Sequence, residues 1–297
     1  MTLAARVSAQ AKINLLLRVL ARESSGYHSI ETIFQRLDLA DDVTVRVTTG
    51  RSLDCAGPAM PADGLGAMER NLAYRAAAAY ADATGWPAGF AIEVVKRIPV
   101  GGGLGGGSAD AGAVLRALDA LSPHPIAGAL VELAAPLGAD VPFMTVEHPT
   151  ALGWGRGERL RPLPAPPPRP AVILVPDFSI PTPDAYLWVA EERGLYAPAA
   201  SVLPAGATAN WEAVAQIAAN DFQRVVARPH PQVAELVDEL RAAGAMVALL
   251  AGSGSSVFGV FEAPPDAAAI ARSAGVSAIT TRTSDAVARV VRAELDR

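Results

Sequence analysis

Residues 99–112 read PVGGGLGGGSADAG, and six glycines fall within seven positions: Gly101, Gly102, Gly103, Gly105, Gly106 and Gly107. Such a run costs conformational entropy, and it lets a ligand approach the backbone closely. Phe90–Ile98 before it (FAIEVVKRI) is rich in β-branched and apolar residues, which predicts a strand. After it, Val114, Leu115, Leu118 and Leu121 recur at helical spacing and predict a helix that starts near Ser108–Asp110. Strand, glycine loop and helix start together make an anion site. Free backbone N–H groups and the positive end of a helix dipole face the same ligand.

Other readings of the loop are weaker. Gly101, Gly103 and Gly106 fit the dinucleotide pattern G-x-G-x-x-G, but so glycine-rich a run satisfies many patterns. The acidic residue expected about 20 positions on would be Asp119, which sits inside the helical pattern. A Walker A loop needs Gly-Lys-Ser/Thr, and the run has no lysine. A plain turn needs one or two glycines. What remains is a phosphate loop of another type, for a nucleoside triphosphate.

A chain of 297 residues has room for two domains of ordinary size. No uninterrupted apolar run approaches the ~18–20 residues of a membrane span, and MTLAARVSAQAKIN lacks a signal-peptide pattern. The expectation is a cytoplasmic protein with no membrane partner. Cys55 is the single cysteine, which excludes an internal disulfide and a multi-cysteine zinc site. A net charge of −5 counts against general nucleic-acid binding. Of 25 basic residues only Lys12 and Lys96 are lysines. That bias points to two places where a compact ammonium is needed rather than a guanidinium fork.

Along the chain, Ser8–Val19 reads as a strand with Ile13, Leu15 and Leu17 on one face and Lys12 and Asn14 on the other. The polar pair is read as held towards a ligand. Ser24–His28 is a turn; Ile30–Leu39 and Asp42–Thr48 predict two strands, and Thr49–Met68 looks irregular. Asn71 caps a helix through Ala83 that buries Leu72, Ala76, Ala79 and Tyr80. Pro125–Ala135 predicts another helix, and LGADVPF places Asp140 in a loop between Gly138 and Pro142. Five prolines in Pro162–Pro168, then Pro170, suit a stiff linker, so the domains are drawn as 1–160 and 161–297. The second half holds strands at Ala171–Val175, Met246–Leu250 and Val257–Phe261, and helices at Pro231–Ala243 and Asp266–Ala274. A second small-residue loop, AGSGSS, spans Ala251–Ser256. Mixed strands and helices in both halves predict α+β domains with a cleft between them.

In order, AKINLLL, SGYH, PVGGGLGGGSAD, LGADVPF, SIPTP, AANDF and LLAGSGSSVF resemble the GHMP (galactokinase–homoserine–mevalonate–phosphomevalonate) kinases. Within them, the doubled glycine cluster with SGYH and GADVPF resembles the branch acting on a cytidine-diphosphate sugar alcohol in non-mevalonate isoprenoid synthesis. The resemblance implies an N-terminal domain like part of ribosomal protein S5 and a ferredoxin-like C-terminal domain. It implies transfer of the γ-phosphoryl of ATP to the 2-hydroxyl of a methylerythritol unit, with Mg²⁺. By position, Asp140 matches the catalytic aspartate and Lys12 its partner. Lys96, with Pro99, Val100, Gly101, Gly102, Gly103, Leu104, Gly105, Gly106, Gly107, Ser108 and Ala109, is assigned to ATP. Asn14, Tyr27, His28, Thr182 and Tyr186 match positions lining the cytidyl site, with the base against Tyr27 and Tyr186.

Three positions depart from the pattern. Ala109 stands where many members have a second serine, the turn before Tyr27 is one residue longer, and Tyr186 replaces a more usual phenylalanine. No ligand set for a metal is marked in the loops; Asp110 is a candidate, and equally a helix-start acid suited to the dipole. Two rivals remain, a GHMP kinase for homoserine or mevalonate and a silent nucleotide-binding regulator. The first leaves Tyr27, His28 and Tyr186 idle; the second is expected to have lost Lys12 or Asp140.

Overall fold

The computed structural model describes residues 2–22, 28–193, 203–271 and 275–295. Its longest elements are two antiparallel strands of 21 residues each, β1 (Thr2–Arg22) and β2 (His28–Thr48). The pattern predicts two strands where β2 runs as one, because Asp38, Asp41 and Asp42 look like a break. Asp41 is instead fully buried and accepts the backbone N–H groups of Arg97 and Ile98 while pairing with Lys96. A carboxylate matched this way passes through a core strand. The polar face of β1 is likewise buried, with Lys12 and Asn14 at 3% and 2% exposure.

Next come β3 (Arg51–Ala56), α1 (Leu72–Thr84), β4 (Gly89–Val95) and α2 (Gly106–Leu121). β3 lies in the stretch expected to be irregular. It is a short edge strand parallel to β4, with only Leu53 and Cys55 alternating inward. The Asn71 side chain accepts the N–H of Ala73 and caps α1. The face α1 buries is Ala73, Ala76, Ala77, Tyr80 and Ala81, while Leu72 and Ala79 stay half-buried. α2 starts at Gly106, earlier than the apolar spacing indicates, and is buried around almost its whole circumference. Its polar residues are therefore matched internally: Asp119 accepts from the Tyr80 hydroxyl and the Ile126 N–H, and Arg116 donates to the Ala288 carbonyl.

The helix expected over Pro125–Ala135 divides into a 3₁₀ turn (Ala127–Ala129) and α3 (Leu130–Ala134). Gly128 weakens the helix there. α4 (Val141–Thr145) follows, then β5 (Thr150–Gly155) against β2 and β6 (Arg159–Pro162) against β5.

A second sheet begins with β7 (Pro170–Pro176). After it come α5 (Thr182–Arg193), α6 (Trp211–Ile217), β8 (Ala219–Asn220), α7 (Asp221–Ala227) and α8 (Gln232–Ala242). β9 (Val247–Leu250), β10 (Val257–Val260), α9 (Ala267–Ile270), β11 (Val276–Arg282) and β12 (Val291–Leu295) complete the chain. α8 turns Val233, Leu236, Val237 and Leu240 inward, as their spacing predicts. α9 ends at Ile270, and residues 272–274 of the helix expected there lie outside the described residues.

The larger sheet runs β12-β1-β2-β4-β3, with β5 and β6 continuing from β2 and β8 added to β1; the smaller runs β11-β7-β10-β9, all antiparallel. β8 and β12 carry the later chain back onto β1, so the two sheets are tied together through it. The fold is α+β with two sheets. No helix among the described residues is long and apolar enough to cross a membrane.

Candidate active site

The glycine loop follows β4 and meets the buried middle of β1 at Lys12. Its tip is pinned from below, where the Lys12 N–H donates to the Leu104 carbonyl at 3.0 Å. It is pinned from above by the AGSGSS loop of the second sheet, where the Ser256 N–H donates to the Gly102 carbonyl at 3.3 Å. The two loops touch so closely that a Cβ on Gly103 (φ +79°) would fall on the Ala251 carbonyl oxygen. Between them opens a cleft of about 570 Å³.

Lys12 stands at the centre of the cleft. Its ammonium pairs with Asp140 at 3.2 Å and donates to the Asn14 side-chain oxygen at 2.8 Å. Asn14 donates in turn to the Thr32 hydroxyl, which donates to the Leu16 carbonyl, both at 2.7 Å. The chain Asp140–Lys12–Asn14–Thr32 is closed at its buried end and open at Asp140, whose side chain is 28% exposed. Asp140 sits at the N-cap of α4, where its carbonyl accepts from the Met144 N–H at 3.3 Å but its side chain makes no capping bond, so its carboxylate is left for the cleft.

Lys96 lies on the cleft floor, but its ammonium is held between two buried carboxylates, Asp41 and, at 2.6 Å, Asp110. Burial pulls the Lys96 ammonium down, yet Asp110 and Asp41 together hold it above its ordinary value. Burial pushes Asp110 up to about 7 against the pull of Lys96, with Asp41 adding to the rise. One Asp110 oxygen is buried and has no hydrogen-bond partner among the described residues. The triad joins the residues before the loop (96–98) to the helix after it, so it braces both ends of the loop.

Of the residues assigned to ATP, Pro99 through Ser108 all line the cleft, whereas Ala109 does not. Its side chain is buried at 2% exposure on α2, and its N–H donates to the Gly105 carbonyl at 2.8 Å. Among the substrate assignments, Asn14, Thr182 and Tyr186 line the cleft. Asn14 is committed to Lys12 and Thr32, so it orients the ammonium. The Thr182 hydroxyl hydrogen-bonds the Ser253 hydroxyl at 3.0 Å, across to the AGSGSS loop. His28 stacks on Tyr186 with ring centroids 5.1 Å apart, and Phe222 meets the Tyr186 ring edge-on at 4.9 Å. Burial, with Asp140 nearby, pushes the Tyr186 hydroxyl up to about 12. Tyr27 lies outside the described residues.

Other participants were not evident from the sequence. Asn220 donates to the carbonyls of Leu250 and Gly252, both at 2.8 Å, and ties the start of the AGSGSS loop to β8 beside β1. Its signal was the AANDF stretch. Asp41, in an acidic cluster that reads as a turn, gives no sign of burial in a triad.

Two family models match the chain: GHMP kinases N terminal domain over residues 71–148 and GHMP kinases C terminal over residues 203–276. The 4-diphosphocytidyl-2-C-methyl-D-erythritol kinase of Thermus thermophilus is 41% identical over 265 residues, covering 87% of this chain and 88% of that one. A crystal structure of 4-(cytidine 5′-diphospho)-2C-methyl-D-erythritol kinase superposes with a TM-score of 0.76 at 37% identity, over 94% of this chain and 98% of that one. A homoserine kinase from Cytophaga hutchinsonii superposes with a TM-score of 0.71 at 17% identity, over 98% and 97% of the two chains, a likeness of fold alone. The chain belongs to the 4-diphosphocytidyl-2-C-methyl-D-erythritol kinase family of GHMP kinases, and is a small-molecule kinase.

Proposed function

We propose that the cleft moves the γ-phosphoryl of ATP onto the 2-hydroxyl of 4-diphosphocytidyl-2-C-methyl-D-erythritol, with Asp140 as general base. The observation that carries this reading is the Asp140–Lys12 pair at 3.2 Å beside the glycine loop. Phosphoryl transfer asks chiefly for positioning and charge neutralisation. The backbone N–H groups of Gly101–Ser108 and the start of α2 supply both to the triphosphate. Asp140 takes the proton of the acceptor alcohol as its oxygen bonds to the γ-phosphorus. The bond from that phosphorus to the β–γ bridging oxygen breaks, and ADP leaves with the electron pair. An ammonium has three donors. In Lys12 two serve Asp140 and Asn14, which leaves the third for the transferring phosphoryl or the developing alkoxide.

The acceptor's base is read as lying by Tyr186 and His28, where an aromatic face is worth about 1–3 kcal/mol by analogy with single-strand stacking. In this reading residues 1–160 carry the nucleotide half, and 161–297 supply the opposite wall.

Among the described residues no group of three or more histidine, cysteine or acidic side chains is set to cage a metal. Mg²⁺ bound chiefly through phosphate oxygens needs few protein ligands. The Ser108 hydroxyl and the unpartnered Asp110 oxygen are hard donors that fit it. When bound it neutralises charge on the phosphates. The test is Asp140→Asn, read by turnover and by ATP binding. Turnover should fall about a hundred- to ten-thousandfold with ATP affinity retained; full turnover in the variant contradicts the assignment of the base.

A further inference from the structure

Arg36 is among the largest fully buried side chains of the described residues, at 2% exposure, and no carboxylate pairs with it among them. Burial pulls its guanidinium down to about 9, with Arg116 adding to the fall. A full charge placed in a core without a counterion is costly, and such departures from ordinary core chemistry collect at functional sites. What the guanidinium does there is specific. Its Nη2 donates to the Phe143 carbonyl at 2.7 Å and to the Val146 carbonyl at 3.0 Å. Its Nε reaches the His148 carbonyl at 3.4 Å, and its plane lies over the Phe143 ring at 4.8 Å.

These contacts gather the C-terminal end of α4. A helix of five residues does not hold itself: the Thr145 hydroxyl donates to the Pro142 carbonyl at 2.7 Å, but the Phe143 carbonyl is met by Arg36 from outside the helix. Its position is therefore set from outside, and Asp140 is its N-cap. Phe143 follows Asp140 by three residues, about one turn, so a displacement at the clamped carbonyl reaches the carboxylate almost undiminished. At the other end of the arrangement, Arg36 on β2 is the register partner of Lys12 on β1. One pair of strands thus fixes both the ammonium and, through Arg36 and α4, the carboxylate that meets it.

We propose that Arg36 is a positioning residue for phosphoryl transfer, one that holds α4 so that Asp140 stands against Lys12 at the mouth of the glycine loop. This rests on the reading of Asp140 as the base. Arg36→Met and Arg36→Lys are made alone and combined with Asp140→Asn, with rates expressed per ATP-binding site. Arg36→Met should lower kcat on the order of 10- to 100-fold, the scale of a catalytic group displaced by a fraction of an ångström to an ångström. KM for ATP and for the acceptor should stay within about threefold, because the effect is confined to the transition state. Arg36→Lys, which keeps a donor and a charge, should recover part of the loss.

In the Asp140→Asn background Arg36→Met should change kcat by less than about threefold, since a residue acting through Asp140 has nothing left to act on. Unchanged kcat in Arg36→Met, or an equal proportional loss in both backgrounds, overturns the proposal. Should Arg36→Met not fold, Arg36→Lys decides in its place: wild-type kcat in it overturns the proposal. Wild-type turnover in Asp140→Asn alone removes the base, and the proposal with it. Loss in Asp140→Asn without loss in Arg36→Met removes only the proposal.

Discussion

Lys12 stands out as one of two lysines in the chain, whereas Asp140, an ordinary turn residue between a glycine and a proline, is marked only by the family resemblance of LGADVPF. Asp41 and Arg36 carry no such mark. A buried charge is made tolerable by partners from distant segments, Arg97 and Ile98 for one and the 143–148 backbone for the other, and no local pattern records them. The triad at Lys96 makes a prediction at this scale. Asp110 has its proton affinity raised in the folded state, to about 7, above that of the unfolded chain. Between the two values the folded state binds more protons, so its ionisation takes stability away as pH rises towards and through 7. Asp110→Asn has no such ionisation. Its Tm relative to the wild type should therefore become more favourable between pH 5 and pH 8, and a difference that is flat across that range argues against the buried, destabilised carboxylate.

Among the elements, the glycine loop, its flanking strand and α2 are legible because loop composition and the two periodicities agree. α5, α6 and α7 are not, since they are short or lack a sustained apolar stripe and are placed by tertiary packing, α6 against β1 and α5 against α7. β8, two residues long, exists only by pairing with β1. The crossing of α2 and α4 carries a second prediction. Gly112 on α2 lies directly beneath Met144 of α4, where an added Cβ would stand 2.7 Å from the Met144 carbonyl carbon. Gly112→Ala should destabilise the protein by about 1–3 kcal/mol, as overpacked cores do. It should also lower kcat more than it raises the KM for ATP, because α4 moves and the glycine loop does not. Denaturant unfolding with steady-state kinetics checks this; a stable variant with wild-type kcat would show that α4 has slack at this contact.

For the whole molecule, the active cleft is a product of closure between two sheets. The glycine loop belongs to the first and AGSGSS to the second, and β8, with Asn220 at its end, bridges them. Sequence reading supplies both loops but not their meeting, because contact between segments some 150 residues apart leaves no local mark. The choice of acceptor belongs to this scale too, since His28 starts β2 of the first sheet while Thr182 and Tyr186 come from α5, and they converge only in the closed fold. The most direct measurement of the central claim is ATP consumption by the purified protein with Mg²⁺ across a panel of acceptors. The panel holds the cytidine-diphosphate methylerythritol, its uridine counterpart, homoserine and mevalonate. Turnover confined to the cytidyl compound, with a 2-phosphate product, is the predicted result; turnover of homoserine or mevalonate in its place, or ATP binding with no acceptor turned over, would contradict it.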